Sequence, residues 1–412
     1  MNHYSNRRNK LMNLLPDNSM LILFSGKAPY RSNDEVYPFC VDRNFYYLTG
    51  LQAENMILIL NKNNNQVNES IFIEPYDEYL AKWVGGKMLA KDVEKISEIK
   101  NVQEINNFNS VISSTLNRNR KNDDFVLYFD FYHYELDQSA SQALEFVNKL
   151  KENYPHLIYK DIYPHISRMR MIKDAYEISF IKKAINITKF GIDNMMKMSN
   201  PGINEMTMEG IFDFALKQSL CKETAFKTIA ASGKRATILH YCDNNNVMQN
   251  NELFLCDLGA TYNNYCADIS RTFPVNGKFT NRQKQLYQVV LNANKIVENN
   301  AKPGISIKQL NQMVIDYYTK ELPKLGLNEK VSNYYYHSCS HHLGLDTHDL
   351  DAGADYLLQV GNVITNEPGL YIEKEDIGIR IEDDLLISEN GVEVLSKNII
   401  KEIDDIEKYM AK

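Results

Sequence analysis

The chain reads as an α/β protein: a small α/β amino-terminal domain at 1–170, then an α+β domain at 171–412 with a pseudo-twofold internal repeat. Three observations lead there. Short apolar runs of strand length share the first third with a helical pattern. A long amphipathic helix opens after the stretch Arg168 to Ala175. Two Pro-Gly turns, at Pro201 and Pro303, each follow one helix and open another, and each precedes histidine and two acids.

In chain order, the strands of the first part are Met20 to Phe24 (MLILF), Met56 to Leu60 (MILIL), Ser70 to Ile73 (SIFI) and Phe125 to Phe131 (FVLYFDF). Asn-rich stretches such as NKNNNQ are surface loops between them. The RRNK run at Arg7 to Lys10 reads as a solvated helix face. Leu136, Ala140, Ala143, Leu144, Val147 and Leu150 recur at helical spacing, which predicts a helix over Leu136 to Leu150. This part holds no cluster of ligand-type side chains. In the second part Ile178, Ile181 and Ile185 mark one side of the long helix, which runs to SNPG at Ser199 to Gly202.

Composition narrows the function classes. A length of 412 residues exceeds a usual single core and suits two or three domains. With 44% hydrophobic and 24% charged residues the composition is that of a soluble globular protein. A net charge of −7 and no basic stripe argue against nucleic acid as partner. Neither a signal peptide nor a membrane-spanning run is read, so no membrane partner is expected. Six scattered cysteines without a C-x-x-C pair suit free thiols in a reducing compartment, hence a cytoplasmic location and no cysteine zinc site.

The stretch LFLCDLGATYNNYCADISRTFP, from Leu253 to Pro274, organises the chemistry. A hydrophobic strand carries Asp257 into a turn, and a second strand through Tyr265, Cys266 and Ala267 presents Asp268, with Arg271 just beyond. Alone, these acids suit an arginine ion pair or a turn cap as well as a metal. HSCSHHLGLDTHD adds His337, His341, His342 and His348 within a short span. VITNEPGLY places Glu367 at a strand end before a turn. GIRIEDD sets Arg380 and Glu382 two residues apart, on one face of a strand.

Asp257, Asp268, His341, Glu367 and Glu382 together make four carboxylates and an imidazole. Clustered in one cleft, they would need roughly four compensating positive charges. Two divalent cations supply that charge, and mostly oxygen donors with one imidazole suit Mn²⁺, Co²⁺ or Zn²⁺. Two such ions about 3.5–4 Å apart deprotonate a bridging water near neutral pH, the chemistry of a hydrolase.

ILHY, the DLGA…ADISRTFPVNGKFT run, SHHLGLDTHD, NEPGLYIE and GIRIEDD resemble the pita-bread metallopeptidases, most closely the Xaa-Pro aminopeptidase (aminopeptidase P) family. YPFCVDRNFYYLTG extends the resemblance to the amino-terminal domain. The resemblance implies hydrolysis of the bond before a penultimate proline in peptide substrates by a hydroxide bridging two metals, most often Mn²⁺. It implies that Asp257 chelates one ion, that Asp268 and Glu382 bridge both, and that His341 and Glu367 complete the other. Glu367 would also move protons, His348 would steady the oxyanion, and His240 would lie at the substrate end. His337, Tyr371 and Arg380 would line or buttress the proline subsite. Trp83 matches a position that can reach a neighbouring subunit's site, in keeping with a homodimer or a dimer of dimers. Two departures stand out: the doubled His341-His342, and HDLDAGADY after His348, at the rim of the cleft. A dipeptide-only prolidase, a methionine aminopeptidase and a catalytically inactive binding module on the same fold are the alternative readings.

Overall fold

Apolar runs too short for helices make the centre of the amino-terminal unit. The computed structural model describes residues 3–350, 352–353 and 355–411, and it divides into two units, Met1–Arg168 and Met169–Lys412. In the first, β1 (Ser19–Phe24), β2 (Ile57–Asn63), β3 (Gln66–Ile73), β4 (Val102–Glu104), β5 (Val126–Phe129) and β6 (Ile158–Asp161) form one sheet in the order β4-β3-β2-β1-β5-β6. The β1–β2 and β2–β3 pairs are antiparallel, and the other three are parallel. One face, with Met20, Ile22, Ile57, Phe72 and Leu127, packs on Phe108, Ile112 and Leu116 of one helix and Val147 and Leu150 of another. Each such fully buried side chain contributes about 1.5–3 kcal/mol. The strand β1 is unbroken in hydrophobicity because both of its faces are covered.

Two expectations fail here, each for a physical reason. The helix expected from Leu136 begins at Gln142 and runs to Asn153, because the Ser141 side chain caps it by accepting from Leu144 N. Leu136 is 97% exposed, so its helical spacing was coincidental. The RRNK run is only partly solvated: Lys10 is exposed, but Arg7 and Arg8 of the helix His3–Leu14 are buried. Arg8 Nε and Nη2 donate to the Glu69 carboxylate at 2.9 and 2.8 Å, and Nη1 to Leu48 O at 2.8 Å. A planar guanidinium with its fork satisfied can enter an interior, and hydropathy patterns cannot see a partner so distant along the chain.

In the second unit the repeat is visible in its hydrogen bonds. The helices Ala175–Met198 and Glu205–Gln218 pack together and precede β7 (Ile229–Ser232), β8 (Leu253–Leu258), β9 (Thr261–Tyr262), β10 (Tyr265–Cys266) and β11 (Ile269–Pro274). The helices Asn281–Asn300 and Ile307–Glu321 do the same before β12 (Val363–Asn366), β13 (Gly369–Ile372), β14 (Ile377–Arg380), β15 (Asp383–Ser388) and β16 (Gly391–Val394). The main three-stranded sheets are β11-β8-β7 and β12-β15-β16. In each half a Pro-Gly pair sits between the helices, with Gly202 at φ +92° and Gly304 at φ +88°, a conformation glycine takes without steric cost. Gly202 N donates to Met248 O while Met248 N donates to Ile203 O; Gly304 and Ile305 exchange the same pair with Leu358. Asn204 and Ser306 then cap the second helices.

The hairpin expected at Leu253 to Pro274 is more elaborate than its pattern. The strand β8 pairs with β11, opposing Asp257 to Ser270, and the ribbon β9–β10 is inserted between them. Asp268 therefore lies at the junction before β11, not on the strand through Tyr265. Among the described residues no helix is long and apolar enough to cross a membrane.

Arg271, fully buried on β11, ties the halves together. Its Nη2 meets Asp383 Oδ1 of β15 at 2.8 Å, and it also donates to the carbonyls of Ile399 and Ile400, each at 3.0 Å. Burial would raise the Asp383 carboxyl, but Arg271 and Lys401 hold it below the usual carboxylate range. Arg271→Met strands part of that charge, and we expect a loss of about 3–5 kcal/mol, read as a lower urea midpoint by circular dichroism. An unchanged midpoint would contradict this role.

Candidate metal centre

Strand ends and tight connections of both halves deliver their side chains to one cavity of about 630 Å³ in the second unit. Asp257 comes from β8 and Asp268 from the junction just before β11. His341 is held against β12 by its own N donating to Thr365 Oγ1 at 3.1 Å and its carbonyl accepting from Thr365 N at 2.9 Å. Glu367 follows β12, its N donating to Cys339 O, and Glu382 lies between β14 and β15, its N donating to Ser270 O. All five line the cavity, as do His240, His337, His348 and Arg380.

The donor atoms face one another. His341 Nε2 is 3.3 Å from Asp268 Oδ2 and 3.6 Å from Glu367 Oε1. One ligand atom each from Asp268, His341 and Glu382 lies within 4.8 Å of the others. His341 Nδ1 donates to His342 O at 3.0 Å, so Nε2 presents a lone pair to carboxylates that are themselves acceptors. Such an arrangement is favourable only with a proton or a cation among the atoms. Burial, then Asp257, Asp384 and Glu367, push the Asp268 carboxyl well above its ordinary range. Burial, then Asp268, Asp257 and Glu367, do the same to Glu382. Burial also raises Glu367. Asp257 Oδ1 is buried and has no hydrogen-bond partner among the described residues. Oxygen donors in excess, one oriented imidazole and surplus negative charge fit hard or borderline divalent cations.

Asp257 does make an ion pair, but with Arg380 rather than Arg271. Arg380 Nη2 donates to Asp257 Oδ2 at 2.6 Å, Nε to Ser270 Oγ at 2.9 Å and Nη1 to Tyr371 Oη at 2.8 Å. Ser270 Oγ in turn donates to Glu382 Oε2 at 2.8 Å, and the Tyr371 hydroxyl donates to His337 Nε2 at 2.9 Å. His337 Nδ1 donates to Ser338 O at 2.7 Å. Every proton in this chain has one direction, which requires a neutral His337. Burial, then Arg380, push its pKa down to about 4. Tyr371 thus buttresses from behind instead of lining the cavity. The strand β14 ends at Arg380, so Glu382 shares its side through the Ser270 bridge and not through strand alternation.

His348 packs against His341 with ring centroids 4.1 Å apart and planes tilted by 38°, and burial, then His341 and His240, push it down to about 4. It is a neutral imidazole with an N–H to give. His240 is exposed at the rim. Of the doubled histidines only His341 faces the cavity; His342 is buried against the Tyr356 ring. Within HDLDAGADY, Asp351 and Ala354 lie outside the described residues. Trp83 belongs to the first unit, on the helix Glu78–Val84, and is 73% exposed.

Sequence reasoning passed over the cavity's apolar wall, Phe226, Ile229 and Leu239, and the supports behind it: Ser270 on Glu382, Thr365 on His341 N, and Asp384, whose Oδ2 accepts from Asp268 N at 3.3 Å. Ser270 was findable, being two residues after Asp268 and entering a strand. Ile229 pairs with Asp257 only through a register no local pattern reveals.

Family models match at both ends of the chain: "Metallopeptidase family M24" over residues 179–389 and "Aminopeptidase P, N-terminal domain" over 4–123. The chain is 34% identical to the Xaa-Pro aminopeptidase of Haemophilus influenzae, over 99% of this chain and 96% of that one. Its fold matches a Bacillus anthracis protein described as a candidate aminopeptidase P, with a TM-score of 0.96, 44% identity, and 99% and 97% of the two chains covered. It also matches the Escherichia coli aminopeptidase P solved with the inhibitor Pro-Leu, with a TM-score of 0.90 and 29% identity over 99% and 97%.

The buried acids dictate a pH dependence for cation binding. Their raised folded-state pKa values mean that the cation-free protein keeps protons that a cation must displace, and fewer remain as pH rises. Added Mn²⁺ should therefore raise the melting temperature of chelator-stripped protein more at pH 8 than at pH 5.5. Scanning fluorimetry showing an equal or larger gain at pH 5.5 would contradict it.

Proposed function

The chain belongs to metallopeptidase family M24, and on that premise we propose that it is a metal-dependent Xaa-Pro aminopeptidase, hydrolysing the amide bond between an N-terminal residue and a penultimate proline. The observation that carries the reading is the shared cavity of Asp257, Asp268, His341, Glu367 and Glu382, with its lone pairs turned inward. These five would hold two divalent ions, with Mn²⁺ favoured by the oxygen-rich donor set. Bound ions supply Lewis acidity and bring the acidity of water toward neutral pH.

The chain's own groups do the rest. Arg380, fixed by Ser270 and Tyr371, keeps Asp257 in one orientation. Glu367, with one oxygen near His341 and the other 3.6 Å from His337 Nδ1, is placed to take a proton from the attacking water and return it to the departing nitrogen. The neutral His348 donates its N–H to the developing oxyanion. His240 at the rim meets the substrate, and the wall of Phe226, Ile229 and Leu239 offers apolar surface to its side chains. Proline has no backbone N–H to give, so a cavity that recognises the ring without asking for that donor has a chemical niche.

We propose a homodimer or dimer of dimers, with Trp83 reaching a neighbouring copy's site. Support comes from the helix Glu78–Val84, which buries no residue and exposes Tyr79, Leu80, Trp83 and Val84 together. The six free cysteines support a reducing compartment, the cytoplasm.

Side-by-side hydrolysis of Xaa-Pro, Xaa-Pro-Yaa and Xaa-Ala-Yaa peptides with Mn²⁺ tests the function. Cleavage of Xaa-Pro-Yaa and neglect of Xaa-Ala-Yaa are expected, with Asp268→Ala folded and inactive. Cleavage of the dipeptide alone would point to a prolidase, and normal turnover by Asp268→Ala would refute the cavity as the site. Light scattering should return a multiple of the single-chain mass; a monomer would dismiss the assembly.

A further inference from the structure

Immediately beside His348 lies a buried cluster of charge that the reaction itself does not use. Asp349 Oδ1 accepts from Arg170 Nη2 at 2.7 Å, and Asp349 Oδ2 accepts from Lys173 Nζ at 2.9 Å. Arg170 Nη2 also reaches Asp346 Oδ2 at 2.9 Å. The side chains of Arg170, Lys173 and Asp349 are each at most 3% exposed. Burial pushes the Asp349 carboxyl up, and Lys173 and Arg170 outweigh it, holding the group at about 2. The pair therefore stays ionised throughout the working range.

Burying this much charge is costly, and apolar side chains often stabilise as well. What charge adds is direction: two cations, one on each oxygen, fix the Asp349 carboxylate. Asp349 N donates to His342 O at 2.9 Å, closing the loop that begins just after His341 and includes His348. Gly344 in that loop lies so near that a Cβ there would fall 2.1 Å from Asp349 Oδ2 and 2.9 Å from Lys173 Cε. The cations' own segment is anchored, with Lys173 N donating to Gly361 O at 2.8 Å and Asn362 Nδ2 to Met171 O at 2.9 Å, at the entrance to β12.

We infer that Arg170 and Lys173 are positioning residues: through Asp349 they set the place of the His348 imidazole in the cavity, and with it the rate of hydrolysis. The inference rests on the oxyanion role proposed for His348. It concerns neither the cavity's acids nor their cations, so metal content should not change.

The test uses the metal-loaded full chain with Lys173→Met, Gly344→Ala, His348→Ala and the two double variants with His348→Ala. Gly344→Ala keeps every charge and drives a methyl group at the Asp349 carboxylate. Steady-state kcat and KM on an Xaa-Pro-Yaa peptide are measured beside bound metal by plasma emission. His348→Ala should lose on the order of 10²–10³-fold in kcat. Lys173→Met and Gly344→Ala should each lose on the order of tenfold in kcat, with KM within about twofold and metal content unchanged. In the His348→Ala background the same changes should cost less than about twofold, because they act through a group already gone. Equal losses in both backgrounds, or unchanged kcat in the single variants, would overturn the positioning role. If Lys173→Met does not fold, the Gly344→Ala cycle decides alone. Wild-type kcat in His348→Ala would remove the reading of His348 and this inference with it, whereas additive losses beside a slow His348→Ala remove only the inference.

Discussion

Four carboxylates buried in one cavity repel one another, and containing that repulsion shapes the second unit. Asp268 and Glu382 are driven well above their ordinary range by burial first and then by the acids around them, Asp257 and Glu367 acting on both, and Arg380 offsets only part of the surplus on Asp268. At an effective dielectric of about 20, two like charges 4 Å apart cost about 4 kcal/mol, so such a cluster persists only inside a scaffold that cannot relax away. Positive charge in the middle would stabilise it, which is also what a metallohydrolase needs.

The scaffold resists relaxation by using each half to brace the other. Arg271 on β11 is spent on Asp383 of β15 and on the carbonyls of Ser270, Glu382, Ile399 and Ile400, so it is unavailable to neutralise the acids beside it. Arg380 instead orients Asp257, and through Ser270 and Tyr371 the same guanidinium reaches Glu382 and His337. A single directed chain of donors thus sets a carboxylate on one half against histidine and glutamate on the other. Interiors of this density transmit displacement, which is why a clamp one residue beyond His348 can matter to chemistry.

Much of this was legible locally. Apolar runs marked four of the six strands of the first sheet and left out the short edge strands β4 and β6, the Pro-Gly echo marked a repeat whose hydrogen bonds recur in the structure, and ligand-type residues at turn junctions named the side chains that share the cavity. Local pattern misled where a distant partner changed the balance. Arg8 looked solvent-bound until Glu69 and two carbonyls satisfied it, and Leu136 kept helical spacing although Ser141 starts the helix. The ribbon β9–β10 displaced Asp268 from the strand its neighbours suggested.

By itself the sequence determined which residue types were present and how they were spaced: periodicity, capping residues, turn-formers and five side chains able to hold cations. Those features are local, because helix and strand periods and turn geometry act over a few residues. Only the tertiary structure decided which way each group points. It turned His341 inward and His342 toward Tyr356, paired Asp257 with Arg380 rather than Arg271, and set Ile229 and Phe226 as the apolar wall. Burial and electrostatic pairing depend on neighbours a hundred residues away, and those neighbours exist only once the chain has closed.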